Sequence, residues 1–220
     1  MTPDLLVRPM RRAELDALVD WAADEGWNPG LNDAEIFWAA DPAGFVAAEV
    51  DGRLVGGGSI VSYDDAFGFM GFFIVAPSCR GRGLGRRLWQ HRRRALLARL
   101  APGASIGLDG VFAMEPFYAE GGFASAGRDL RFEGVGAPAA LAPSLLDSLA
   151  LPFAPLLAFL SSHFPPPRSS FLPLWIAPPG ALSLAPLDVL PLPLSWVASP
   201  GPPPSHTPSR VRSPRGTPPT

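Results

Sequence analysis

The 220-residue chain contains no lysine; all 18 of its basic residues are arginine. That absence excludes a phosphate-binding loop of the lysine-dependent type and a lysine Schiff base with a cofactor aldehyde. Cysteine is nearly absent too. With Cys79 alone there is no internal disulfide, and three scattered histidines supply no zinc-ligand spacing, so no metal is expected. Both features fit a reducing, cytoplasmic setting. A formal charge of −2 excludes a generic polyanion binder, because such affinity rests on many unpaired basic side chains, and no nucleic-acid partner is expected. Long uninterrupted apolar runs are missing as well. Leu149–Leu160 spans 12 residues and contains Pro152 and Pro155, and six prolines and Asp188 break Leu172–Ala198, so no membrane span is expected. At the N-terminus, Asp4, Arg8, Arg11 and Arg12 leave no room for an apolar leader.

What is present divides the chain near Gly136. Of 28 prolines, 21 lie in residues 137–220, yet only Asp147 and Asp188 of the 20 acidic residues do. Residues 1–136 carry the periodicity of a folded domain. Leu5–Arg8 reads as a short strand, and Leu15, Leu18, Val19 and Ala22 recur at helical spacing. Asn28-Pro29-Gly30 ends that helix, and Asn32 with Glu35 resembles a capping box for a second one through Ile36-Phe37-Trp38. Phe45–Val50 and Arg53–Tyr63 flank Asp51-Gly52, a pair suited to a type I′ hairpin turn. Phe67–Val75 reads as one central strand. Leu84–Leu100 reads as a third helix with Leu84, Leu88, Leu96, Leu97 and Leu100 on one side. Ser105–Leu108 then forms a strand, Glu115–Glu120 a short helix and Leu130–Val135 a last strand. The order predicts an α/β fold with a mixed sheet flanked by helices, followed by a proline-rich, largely irregular tail. Pro202–Thr220 reads as disordered.

Between the central strand and the third helix stands Arg80-Gly81-Arg82-Gly83-Leu84-Gly85. Glycine amides there approach an anion closely, and the helix start adds roughly half a positive charge. Charge-assisted bonds from the amides, about 1.5–3 kcal/mol each, outweigh the helix field at about 0.3–1 kcal/mol. A dinucleotide fingerprint is not met: Leu88 stands where its third glycine belongs, and no acidic residue follows at the required distance.

Arg80-x-x-Gly83-x-Gly85 after Phe73-Ile74-Val75-x-Pro77 resembles motif A of the GNAT (Gcn5-related) N-acetyltransferases. That family also places a tyrosine shortly before Gly-Phe, and Phe117-Tyr118-Ala119-Glu120-Gly121-Gly122-Phe123 is similar. Trp27–Gly30, Tyr63–Asp65 and Gly107–Gly110 further resemble a bacterial subgroup of it. The resemblance covers residues 5–136 and implies a mixed, mostly antiparallel central sheet flanked by helices, with acetyl-CoA as cosubstrate. It assigns Phe73, Ile74 and Val75 to the pantetheine arm, and Arg80, Gly81, Arg82, Gly83, Leu84, Gly85 and Arg86 to the pyrophosphate. Val111 stands where many members carry an asparagine that contacts pantetheine.

The implied reaction is direct attack of an amine, on a small molecule or peptide, upon the thioester. An alkyl amine of pKa about 10.4 is neutral in about one molecule in 2,500 at pH 7, a handicap of roughly 4.6 kcal/mol. Asp64, Asp65 and Asp109 are the carboxylates near the motifs that could relieve it, and the sequence does not choose among them. Tyr118 is the candidate partner of the departing thiolate; full proton transfer from a phenol of pKa about 10 to a thiolate of about 8.5 is uphill by about 2 kcal/mol. Trp27, Phe37 and Trp38 are candidates for core or acceptor pocket. Cys79, with no flanking histidine, reads as an incidental loop thiol. The arginines at 86, 87, 92, 93, 94 and 99, with His91, read as a solvated helix face. Residues 137–220 read as a degenerate or frame-shifted remnant. The alternative is a catalytically silent acyl-CoA-binding module whose tail serves as a proline-rich ligand.

Overall fold

The computed structural model describes residues 4–130, 134–135, 145–164, 168–178, 183–186 and 195–196. Its first sheet takes β1 (Leu6–Pro9), β2 (Phe45–Val50), β3 (Arg53–Ser59) and β6 (Ile74–Val75) in the order β1-β2-β3-β6, all antiparallel. The second contains β4 (Val61–Tyr63), β5 (Phe67–Met70) and β7 (Ser105–Leu108), with β4 antiparallel and β7 parallel to β5. Helices α1 (Arg12–Asp24), α2 (Asp33–Ala40), α3 (Leu84–Leu97) and α4 (Glu115–Glu120) flank them. The expected mixed, mostly antiparallel α/β class is therefore observed.

Alternation along β2 explains the layering. Phe45 and Ala47 face α1, where Leu15, Leu18 and Ala22 are fully buried; Val46 and Ala48 face Leu84, Leu88 and Leu96 of α3. Asp51 and Gly52 both have positive φ, 50° and 74°, as the expected hairpin turn requires.

Four expectations change. Arg53–Tyr63 and Phe67–Val75 are not continuous strands: each crosses from one sheet to the other, at Ile60 and at Gly71–Phe73. Phe72 lies in the left-handed region, with φ 48°, at the second crossing. An apolar run reports burial on both faces but not the point where its hydrogen-bond partners change. The Asn32–Glu35 capping box does not form, since Asn32 makes no side-chain cap; Asp33 instead accepts the Gly30 amide at 2.7 Å. On α3, Leu97 is 46% exposed, and Leu88 and Leu96 carry the buried stripe. Leu130, Gly134 and Val135 are not in a strand, and 131–133 lie outside the described residues.

The proline-rich part includes β8 (Leu145–Asp147), α5 (Phe153–Ser161), α6 (Leu172–Ile176), β9 (Ser183–Pro186) and β10 (Ser195–Trp196). Proline enters helices here at tolerated places: α6 has it in its first turn, and α5 starts after Pro152. Leu156, Leu172 and Ile176 form a small core of their own. Among the described residues no helix is long and apolar enough to cross a membrane. The expected disordered segment Pro202–Thr220 lies outside the described residues.

Candidate active site

The parting of the sheets creates the site. β6 pairs with β3 and β7 with β5, so the facing edges of β6 and β7 are not paired with each other. Between them opens a cavity of about 1190 Å³. Phe73, Ile74 and Val75 border it on one side and Leu108, Asp109 and Gly110 on the other; Gly81, Gly85 and Tyr118 also line it. Ile74 is buried and Phe73 and Val75 are half-buried.

A 3-10 turn, Pro77–Cys79, leads from β6 into the glycine loop. Gly81 and Gly83 have φ values of 72° and 76°, and Gly83 is the N-cap of α3. A Cβ at either position would meet nothing within 4 Å. Backbone conformation, not crowding, therefore demands glycine there. Leu84 anchors the loop by burial, while Arg82 and Arg86 stay exposed. Arg86 pairs with Glu120 at 3.2 Å and lies 5.7 Å over the Phe117 ring. Arg80 turns back: its Nε donates to the Val75 carbonyl at 2.8 Å and its Nη2 to Glu25 at the end of α1. That ties the loop to the turn carrying Trp27, which is 37% exposed and lines the cavity.

Tyr118 is held by its neighbours. Its ring lies 5.3 Å from that of buried Trp89, which also packs on Phe73, Phe117 and Phe123. A Cβ on Gly110 would come within 2.5 Å of Tyr118 Cε2, so the ring rests on bare backbone. Burial raises the Tyr118 pKa above its ordinary value, and the positive charge of Arg92 works against that rise.

The carboxylates separate. Asp64 and Asp65 stand in the exposed β4–β5 turn with φ 50° and 57°, and neither borders the cavity. Asp109 does, at the rim, with its carboxyl raised by partial desolvation and then by Asp129. Asp33, unforeseen from sequence, also borders it and is raised by burial against the opposing effect of the Gly30 amide.

Rings form the remaining wall. Phe37 of α2 meets Phe72 edge-on at 5.9 Å and stacks with Phe171 and Trp175, each at 6.0 Å. Phe164 meets Tyr63 at 5.6 Å, and the Arg168 guanidinium covers Phe164 at 3.9 Å. Trp38, by contrast, stacks on Phe45 in the core.

The arginine-rich helix does not present a uniform solvated face. Arg86, Arg87, Arg93 and Arg94 are exposed, but Arg92 is fully buried and Arg99 bonds Ala43 O, Ile60 O and Asp41. His91 is half-buried, its pKa lowered by that burial and by Arg94. The Cys79 thiol lies 3.8 Å from the hydroxyl of Ser78. Among the described residues no group of three or more metal-ligating side chains occurs.

A family model described as the acetyltransferase (GNAT) family matches residues 12–123. Over 128 residues the chain is 35% identical to holothin acyltransferase of Pseudoalteromonas sp. (strain SANK 73390), covering 58% of this chain and 42% of that protein. This chain thus spans less than half the length of that relative. Its fold is similar to that of a Pyrococcus horikoshii structure assigned as an acetyltransferase, with TM-score 0.64 and 21% identity, covering 83% of this chain and 64% of the other. Residues 1–136 alone could not supply that coverage, so the likeness of fold reaches into the proline-rich part.

Proposed function

This chain belongs to the acetyltransferase (GNAT) family, and on that premise we propose that it transfers the acetyl group of acetyl-CoA to an amine by direct attack. One observation carries the reading: the β6 edge that faces away from β3, a positive-φ glycine loop at a helix start and a half-buried phenol all border one cavity. Backbone groups of Phe73–Val75 hold the pantetheine arm as an added strand would be held. The amides of Gly81–Gly85 take the pyrophosphate, with the exposed Arg82 and Arg86 beside it, Arg86 leaving its pair with Glu120 to reach it, and Tyr118 hydrogen-bonds the departing thiolate. Arg80 acts on the loop from behind, through Val75 and Glu25. The segments Trp27–Gly30, Tyr63–Asp65 and Gly107–Gly110 support membership of the bacterial subgroup they resemble.

Of the three carboxylates weighed as bases, Asp109 is the one at the cavity, and its raised pKa makes it a better proton acceptor at neutral pH. The acceptor wall is ring-rich: Trp27, Phe37, Phe72 and Tyr63 face it. Asp41, a further carboxylate there, is already paired with Arg99 at 2.7 Å. Such a wall suits an amine on an apolar, ring-bearing small molecule better than a polycation. The likeness to holothin acyltransferase supports a small-molecule acceptor.

The test is release of CoA thiol from acetyl-CoA against a panel of ring-bearing and alkyl amines, with the acylated amine quantified. Turnover with at least one amine is expected; binding without turnover across both classes would reduce the protein to a silent acyl-CoA binder. A truncation separates the two parts of the chain. Residues 1–136 constitute the acyl-CoA-binding domain and 137–220 an appendage, so removing 137–220 is expected to leave acetyl-CoA affinity within about threefold, about 0.6 kcal/mol. Because Phe171 and Trp175 stack on Phe37, the same truncation should raise KM for the amine. Loss of folding or of acetyl-CoA binding would show that the appendage is integral.

A further inference from the structure

On α3, Leu84, Leu88, Arg92 and Leu96 follow one another at four-residue intervals and are all buried; the third of these positions carries a charge. Arg92 is 0% exposed. Its Nη2 donates to the carbonyls of Ser59 and Gly71, at 2.7 and 2.6 Å, at the point where the two sheets part. The Gly71 carbonyl also accepts the Ser59 amide at 2.8 Å, and the Gly71 amide donates to Ser59 Oγ at 2.8 Å. Arg92 therefore completes a clamp across the crossing. Its Nε and Nη1 are equally buried, and among the described residues they have no hydrogen-bond partner and no carboxylate pairs with the guanidinium. The guanidinium carbon lies 5.0 Å from the Phe73 ring centroid. β3 makes room for it: a Cβ on Gly58 would stand 2.4 Å from Arg92 Cζ.

A buried cation with unpartnered donors lowers stability, and an apolar side chain of similar volume would fill the space without that cost. The balance changes if negative charge develops nearby during the reaction, since a fixed charge in a dry interior acts with little screening and needs no reorganisation. We propose that Arg92 is a positioning residue for acyl transfer: it fastens the Ser59 and Gly71 carbonyls so that Phe73 and Ile74 keep their place at the cleft, and it holds an uncompensated positive charge behind Phe73 and Tyr118, where oxyanion and thiolate form. The proposal rests on the acyl-transfer reading above. Desolvation pulls the guanidinium down to about 9, so it remains charged at neutral pH, and its field lowers Tyr118. Asp109, which also borders the cavity, carries a negative charge that would act in the opposite sense.

The experiment uses the full chain with Arg92→Met and Arg92→Lys, and reads kcat and KM for acetyl-CoA separately, the thermal midpoint, and the ultraviolet titration of Tyr118. Only two tyrosines are present, so subtracting a Tyr118→Phe background isolates that phenol. Arg92→Met is expected to lower kcat roughly 10- to 100-fold, less than the about 100- to 1,000-fold for a donor that touches the oxyanion itself. KM for acetyl-CoA should rise by less than kcat falls, the midpoint should not fall, and the Tyr118 titration should move upward. Arg92→Lys should restore most of kcat. Unchanged kcat in the Met variant, an unchanged phenol titration, or a stability loss that tracks kcat in both variants would overturn the proposal. Should Arg92→Met fail to fold, Gly58→Ala, which displaces the guanidinium, must reproduce the kcat loss and the titration shift, or the proposal fails. If wild type turns over no amine, the acyl-transfer reading is lost, whereas the phenol titration and midpoint still report on the buried charge.

Discussion

Gly83→Asp is expected to weaken acetyl-CoA binding about 100-fold or more, roughly 3 kcal/mol. Three costs combine. An aspartate at φ 76° is strained, although it tolerates that region better than most residues. The loop amides lose their aim at the phosphates, each charge-assisted bond being worth about 1.5–3 kcal/mol. A carboxylate also replaces neutral backbone where a dianionic pyrophosphate binds, at the positive end of α3. Gly83→Ala isolates the first cost, because an added Cβ meets nothing within 4 Å. Its loss should be about tenfold, from roughly 1–2 kcal/mol of backbone strain. Calorimetry of both variants checks the order Asp, then Ala, then wild type; wild-type affinity in Gly83→Asp would remove the pyrophosphate from this loop.

Tyr118→Phe is expected to lower kcat about 100-fold, at the low end of what a positioned acid supplies, with KM for acetyl-CoA nearly unchanged. The phenol hydrogen matters only once the thiolate develops, so its removal should spare ground-state binding. The ring stays against Trp89 and Gly110, and phenylalanine preserves that packing. The sign of the pH effect follows from burial. The Tyr118 pKa lies above its ordinary value, so the donor stays protonated through pH 9 and is lost only as the pH climbs past 10. The part of the alkaline fall in kcat that sets in above pH 10 is expected in wild type and absent in Tyr118→Phe, whereas a fall that follows the Arg92 charge, near pH 9, should remain in both. Equal kcat values for the two proteins at neutral pH would leave Tyr118 as packing alone.

The glycine loop and Tyr118 were legible in the sequence because each demand is local: positive φ selects glycine, and a short motif carries the phenol. The hairpin at Asp51-Gly52 was legible for the same reason. What was not legible depends on partners distant in the chain. Phe67–Val75 is uniformly apolar, and only knowing that β4 and β7 pair with its first half and β3 with its second reveals the split that makes the cleft. Arg92 was hidden by its neighbours Arg93 and Arg94, which do face solvent. A signal existed: the interval Leu84–Leu88–Arg92–Leu96 places it on the apolar stripe, and Gly56-Gly57-Gly58 on β3 marks a strand with unusual room. Asp33 was masked by the better-looking cap at Asn32. The rings of Phe164, Phe171 and Trp175 sit among prolines, where no periodicity predicts which aromatic turns toward Phe37 or Tyr63.

On the proposed function, acyl-CoA lies in the cleft between β6 and β7, with its pyrophosphate on the glycine loop. Hydrogen exchange of individual backbone amides, measured with and without saturating acetyl-CoA, tests it without requiring an amine. The account predicts slowed exchange at Gly81, Gly83, Leu84 and Gly85 and along Phe73–Val75, with little change in the exposed β4–β5 turn at Asp64 and Asp65. Binding of acetyl-CoA that leaves the loop and the β6 edge as exchangeable as before would contradict it.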